Sequence, residues 1–240
     1  MAYTLQQSVD WAQTYIQYVP LTAGVANEPA ISIGNMVMST ILAPPFTWPF
    51  NRDEFDITLV ASQQDYTFGV TDFAYLEKVS LLSVDGNDGF ELKSVYNTNS
   101  LGRATQNQTA QPNSVSVKQF TPGTNVDLRF LSIPDQAYLG TLTYQMQIDS
   151  FTALDQDWSP LPDEFMPIYN NLFLAEAMAV ADDAREQTYR LRGIAALLAK
   201  STGLSDMQVN AFLAQYISRG VSQEQIAQLR NAQGNQARGV

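Results

Sequence analysis

Apolar residues recur at helical spacing near both ends of the chain and at strand spacing in the middle. At the start, Val9, Ala12, Ile16 and Val19 lie three or four residues apart, with Trp11 and Tyr15 beside them. Thr4 and Gln7 have the spacing of a capping box, and Pro20 ends the segment. A second helix is expected from about Pro29 through AISIGNMVMSTIL to the Pro44-Pro45 stop. Its face is made by Ile33, Met36, Val37, Ile41 and Leu42.

From Phe46 the period changes to two. FTWPF, FDITLVA, YTFGV, YLEKVSLLSVDG, FELKSVY, SVSVKQF, VDLRFLSI and LTYQMQIDSF read as eight strands separated by Asn, Asp, Gly and Pro clusters. SVDGNDGFEL predicts a hairpin, because Asp85-Gly86 and Asp88-Gly89 supply positive-φ positions between alternating runs. Residues 97–113 are polar with almost nothing to bury, the pattern of a long surface loop.

The helical period returns at Asp163, a capping residue type followed by Glu164. Residues 165–181 are apolar on nearly every face, and from Asp182 the pattern turns polar. Glu186 and Arg190 are spaced as an i,i+4 pair, and Asp182 is within reach of Arg185. Unbroken to Arg192, this helix would measure about 45 Å. Ser205 with Gln208 and Ser222 with Gln225 predict two further short helices, with Gly203 and Gly220 at left-handed stops; NAQGNQARGV reads as a tail. The fold class expected is α+β: a helical layer formed by N- and C-terminal helices, with an inserted, mostly antiparallel β-sandwich or barrel-like domain. Its parts are N-terminal helices (1–44), β domain (45–160), long central helix (161–203) and C-terminal helical extension with tail (204–240).

The 240 residues are 45% hydrophobic and include neither cysteine nor histidine. That composition supplies a core, and it excludes disulfides, thiolate zinc sites, imidazole ligands and histidine-based triads. The start of the chain has no basic leader and no uninterrupted apolar run, so no signal peptide is expected. The apolar stretch 172–181 carries Glu176 and is too short to span a bilayer, so use in the cytoplasm, or in something assembled there, is expected. Net charge is −11, unevenly spread: 21 acidic and 6 basic side chains in residues 1–183, against 3 acidic and 7 basic in residues 184–240.

No catalytic, metal or cofactor site emerges. Asp182 and Asp183 would point about 100° apart on a helix and cannot easily share an ion. Asp53, Glu54 and Asp56 match no calcium loop, and capping explains Asp155, Asp157, Asp163 and Glu164 as well as a cation would. Glycine-rich phosphate loops are missing. Phe46, Trp48, Phe50, Phe130 and Trp158 could form a sugar-stacking platform, though aromatics beside strand ends more often close a core.

The order of parts nevertheless has a likeness. An opening helix with Trp11 and Tyr15, a second helix leading to TWPFNRDEF, an aromatic alternation after QQDYTF, VDLRFLSIP followed by a tyrosine, and LPDEFMPIYNNLFLAEAMAVADD leading into a charged helix together resemble head-to-tail adaptors of short-tailed bacteriophages. These are the tail tubular protein A-like, or gatekeeper, adaptors, and the likeness covers roughly residues 4–200. It implies a structural virion protein and not an enzyme. Such a protein forms a homo-oligomeric ring, commonly twelve-fold, between the portal protein and the tail or nozzle proteins. Double-stranded DNA passes through without specific binding, no membrane is involved, and the location is the virion neck, assembled in the host cytoplasm. An acidic ring agrees with a lumen that does not hold phosphate. Candidate interface residues are Trp11, Tyr15, Phe165, Tyr169, Leu172, Phe173, Arg185, Arg190, Arg192, Phe212, Tyr216 and Arg219; the segment after Leu204 is the expected portal contact. The alternative is a phage tail or receptor- or carbohydrate-binding module built on the β block.

Overall fold

A computed structural model describes residues 3–83, 89–94, 108–201 and 203–217. The chain divides into two compact units, Met1–Phe50 with Asp149–Val240, and Asn51–Ile148. The fold is α+β: among the described residues there are five α-helices and a seven-stranded mixed sheet that forms a nearly closed barrel.

The first unit joins both ends of the chain. Helix α1 (Leu5–Gln13) starts at the expected capping box, with the Thr4 amide donating to Gln7 Oε1 at 2.9 Å. It buries Leu5, Val9 and Ala12. Helix α2 (Ala30–Leu42) begins after Pro29 and ends at Ala43. Its Gly34 is a close-approach point: an added Cβ would stand 2.8 Å from Leu5 Cδ1 and 3.1 Å from the Tyr169 hydroxyl, which donates to the Gly34 carbonyl. Asp163 is not a helix cap as expected; it opens a 3₁₀ turn, Asp163–Phe165, ahead of α3 (Met166–Val180). Ser8 of α1 donates to Asn170 of α3 at 3.0 Å, so the buried polar pair between these helices is satisfied.

The expected strut through Arg192 does not exist, because the helix stops at Val180 and α4 (Glu186–Lys200) folds back on α3. The stop is a Schellman arrangement, in which the Asp183 amide donates to the Met178 carbonyl and the Asp182 amide to the Ala179 carbonyl. Asp182 takes the left-handed position at φ 52, where glycine is usual. Arg185 consequently pairs with Asp183 at 2.7 Å rather than with Asp182. Arg190 is buried between Glu176 and Glu186, which confirms the expected i,i+4 pair and adds a partner from α3. Helix α5 (Asp206–Ile217) follows Gly203, left-handed at φ 81, and the Ser205/Gln208 box. The Ser222/Gln225 box and Gly220 lie outside the described residues.

FTWPF is not a strand. Phe46 and Trp48 stack at 5.6 Å, Trp48 and Phe50 at 5.8 Å, and Phe165 meets Trp48 edge-on at 5.0 Å. Three aromatics in five residues gain more by packing on helices than by backbone pairing, so the segment belongs to the helical unit.

The second unit holds β1 (Arg52–Leu59), β2 (Asp65–Phe68), β3 (Phe73–Ser83), β4 (Gly89–Ser94), β5 (Ser114–Thr121), β6 (Asn125–Leu131) and β7 (Tyr138–Met146), in the order β1-β7-β3-β4-β5-β6-β2. All pairings are antiparallel except β4 with β5, which runs parallel through Lys93↔Ser114 and Ser94↔Val115. A parallel neighbour requires a crossover connection, and residues 95–113 provide its length. Register shifts in β3/β7 and β5/β6 add local twist, which curls the sheet. Inside, Ile57, Phe73, Val79, Leu81, Val115, Val126, Leu128, Phe130, Leu142 and Tyr144 form one core. The β3–β4 pairing agrees with the expected hairpin, whose turn at 84–88 lies outside the described residues, as do residues 97–107 of the expected loop.

Candidate protein-interaction surface

The fold sorts the candidate interface residues sharply. Phe165, Tyr169, Leu172, Phe173 and Phe212 are each 4% exposed or less and belong to the helical core. Tyr169 packs its ring 4.2 Å from Trp158, and Phe212 meets Phe46 edge-on at 4.8 Å. Arg190 is likewise internal. Burial of these side chains follows from an apolar α3 that α1, α2 and α4 enclose. Tyr216 lies in α5, but its side chain is outside the described residues, and so is all of Arg219.

Trp11, Tyr15, Arg185 and Arg192 remain at the surface, and the α3–α4 turn brings them together. Trp11 and Tyr15 hold their rings 5.0 Å apart at 57°, and Tyr15 meets Tyr189 of α4 edge-on at 6.0 Å. The Arg192 guanidinium lies 5.3 Å from the Tyr189 ring centroid, in cation–π range. Arg185 donates to the Tyr15 carbonyl at 3.3 Å while its other contacts go to Asp183. The Tyr18 hydroxyl donates to Asp183 at 3.2 Å. Tyr15 is 39% exposed, Tyr18 64% and Val180 54%.

Electrostatics fixes this arrangement. Hydrogen bonds from the Arg185 side chain and amide hold the Asp183 carboxyl well below the usual carboxylate range. Burial, then the Asp183 charge, pushes the Tyr18 phenol up. Asp183 thus stays ionised and holds α1's exit against the start of α4. Tyr18, Val180 and Tyr189 were not among the residues singled out from sequence. The three-residue step from Tyr189 to Arg192 places that pair on one side of α4, whereas Tyr18 follows the end of α1 at Gln13 and had no such local signal.

The remaining candidates separate. Trp48 and Phe50 meet Phe165 edge-on, Phe46 stacks on Trp48, Trp158 sits on Tyr3 and Tyr169, and Phe130 meets Tyr66 inside the barrel. Asp157 accepts the Ser159 amide at 3.0 Å, and Glu164 pairs with Lys200 at 2.9 Å. Among the described residues, no group of three or more Asp and Glu side chains is placed to hold a metal ion, and no helix is long and apolar enough to cross a membrane.

Chemically, the Trp11–Tyr15–Tyr189–Arg192 cluster offers aromatic faces with partial exposure and a guanidinium edge. These are the side-chain types that anchor protein–protein contacts, because they bury large area with few rotatable bonds. The chain matches no protein-family profile and no curated protein with which it was compared.

Proposed function

We propose that this protein is structural rather than catalytic: a head-to-tail adaptor of a short-tailed bacteriophage. Copies form a ring, twelve-fold as the likeness implies, below the portal protein, join the capsid to tail or nozzle proteins, and leave a channel for double-stranded DNA. The observation that carries this reading is the aromatic–guanidinium surface of Trp11, Tyr15, Tyr189 and Arg192. It sits on a helical unit made from both chain ends, the arrangement that the adaptor likeness implies for portal contact. The place of action is then the neck of the virion, assembled in the host cytoplasm, without a cofactor or a membrane.

Mixing the purified chain with its cognate portal and imaging the particles by electron microscopy tests this directly. Rings seated on portals are expected for the native chain and not for a Tyr15→Ala, Tyr189→Ala, Arg192→Ala triple variant. Failure of the native chain to associate with portals overturns the proposal.

A further inference from the structure

On the outer face of the barrel, the strand registers align four polar side chains from four adjacent strands. Asp56 of β1 is opposite Thr141 of β7, Thr141 is opposite Ser80 of β3, and Ser80 is opposite Glu91 of β4. Their chain neighbours Ile57, Leu142, Val79, Leu81 and Leu92 are buried in the barrel, so alternation turns the row outward. The next outward row holds Leu139 and Leu82, opposite each other and 50% and 40% exposed, and then Gly89. Small side chains at Ser80, Gly89 and Thr141 leave an open depression of about 400 Å³ that Leu82 and Glu91 also line. From β1 to β4 the row spans about 14 Å at ordinary strand spacing.

We propose that this row is a binding site for a neutral oligosaccharide. A sugar ring presents C–H surface on one side and hydroxyls around its rim, and each hydroxyl both donates and accepts. Leu82 and Leu139 cover the C–H surface; Ser80 and Thr141 donate and accept; Asp56 and Glu91 accept with full charge at the two ends. Partners already orient these groups: Thr141 donates to Asp56 at 3.3 Å, and Lys78 holds Glu91 at 2.9 Å. All four stand on paired strands, so little ordering cost remains on binding.

The same geometry rejects other occupants. Asp56 and Glu91 stand three strands apart and cannot share a cation. Two carboxylates repel an anionic ligand. Over β3 and β7, which are paired on both sides, a peptide strand has no backbone edge to extend. The site rests on no part of the adaptor reading.

The test is calorimetric and NMR titration of the full chain with cellotriose, chitotriose and maltotriose. Saturable binding of at least one is expected, with amide shifts concentrated at Ser80, Glu91 and Thr141. Thr141→Val and Glu91→Gln should each weaken it roughly tenfold, the loss of one hydrogen bond. Ser80→Arg, which fills the depression, should abolish it. If that variant misfolds, the two milder ones still decide. Absence of saturable binding by all three sugars, native affinity in Thr141→Val and Glu91→Gln, or shifts located elsewhere would overturn the proposal. Tighter binding of sialyllactose or of a polylysine peptide at this row would overturn it too.

Discussion

Gly193 of α4 lies against Leu172 of α3 with no room for a side chain between them: an added Cβ would stand 2.6 Å from Leu172 Cδ2 and 3.2 Å from the Leu172 amide nitrogen. This approach lets α4 fold back along α3. Gly193→Ala should therefore cost about 1–3 kcal/mol by overpacking, although alanine is the better helix former by about 1 kcal/mol. Leu172→Ala should cost about 2–5 kcal/mol. Because the two changes act on one contact, urea unfolding of the double variant should show a loss smaller than the sum.

Arg190 places a buried charge between two carboxylates, and its Nε has no hydrogen-bond partner among the described residues. Arg190→Ala leaves Glu176 and Glu186 facing each other without a cation and should cost about 3–5 kcal/mol. Arg190→Met, which keeps the volume, should lose less. Chemical denaturation of the two variants side by side checks the order.

Asp182 holds a left-handed backbone at the end of α3. A β-branched residue tolerates this position poorly, whereas glycine adopts it without strain. Asp182→Val should be less stable than Asp182→Gly by about 1–2 kcal/mol. Equal melting temperatures would mean that the turn rearranges.

Asp65 accepts two bonds from Arg129 and lies 3.2 Å from Lys118. The Arg129 bonds hold its carboxyl below the usual range against a smaller opposing effect of burial. A depressed folded pKa gives stability that is present above the unfolded value, near pH 4, and is lost as pH falls through the folded value. Asp65→Asn should thus lower the melting temperature at neutral pH and converge on the native protein in acid. Partial exposure and screening keep the effect small, and added salt should shrink it further.

The adaptor reading carries its own expectation for DNA. A conduit confines a duplex without holding it, and residues 1–183 carry 21 acidic side chains against 6 basic. The free chain should show negligible binding to double-stranded DNA in gel shift or anisotropy, even at low salt. Micromolar binding that weakens steeply with salt would contradict the conduit.

The amino-acid sequence by itself determined what depends on neighbours a few positions away. The capping boxes at Thr4 and Ser205, the start of α2 after Pro29, and the change to period two all follow from local backbone chemistry and side-chain alternation, and all are in the structure. The α+β class follows from them. Only the tertiary structure decided the rest. VADDAREQ contains neither glycine nor proline, so nothing local announces the stop at Val180; packing of Gly193 on Leu172 and the Asp183–Arg185 pair make the return favourable. FTWPF alternates like a strand, yet its rings gain more against Phe165. The parallel β4–β5 pair depends on a partner far along the chain. For the same reason Tyr15 stays exposed while Phe165 and Tyr169 are buried, and Asp56, Thr141, Ser80 and Glu91 form a row. Aromatic content and polar spacing say which residues can serve at a surface, but long-range register and enclosure choose which ones do.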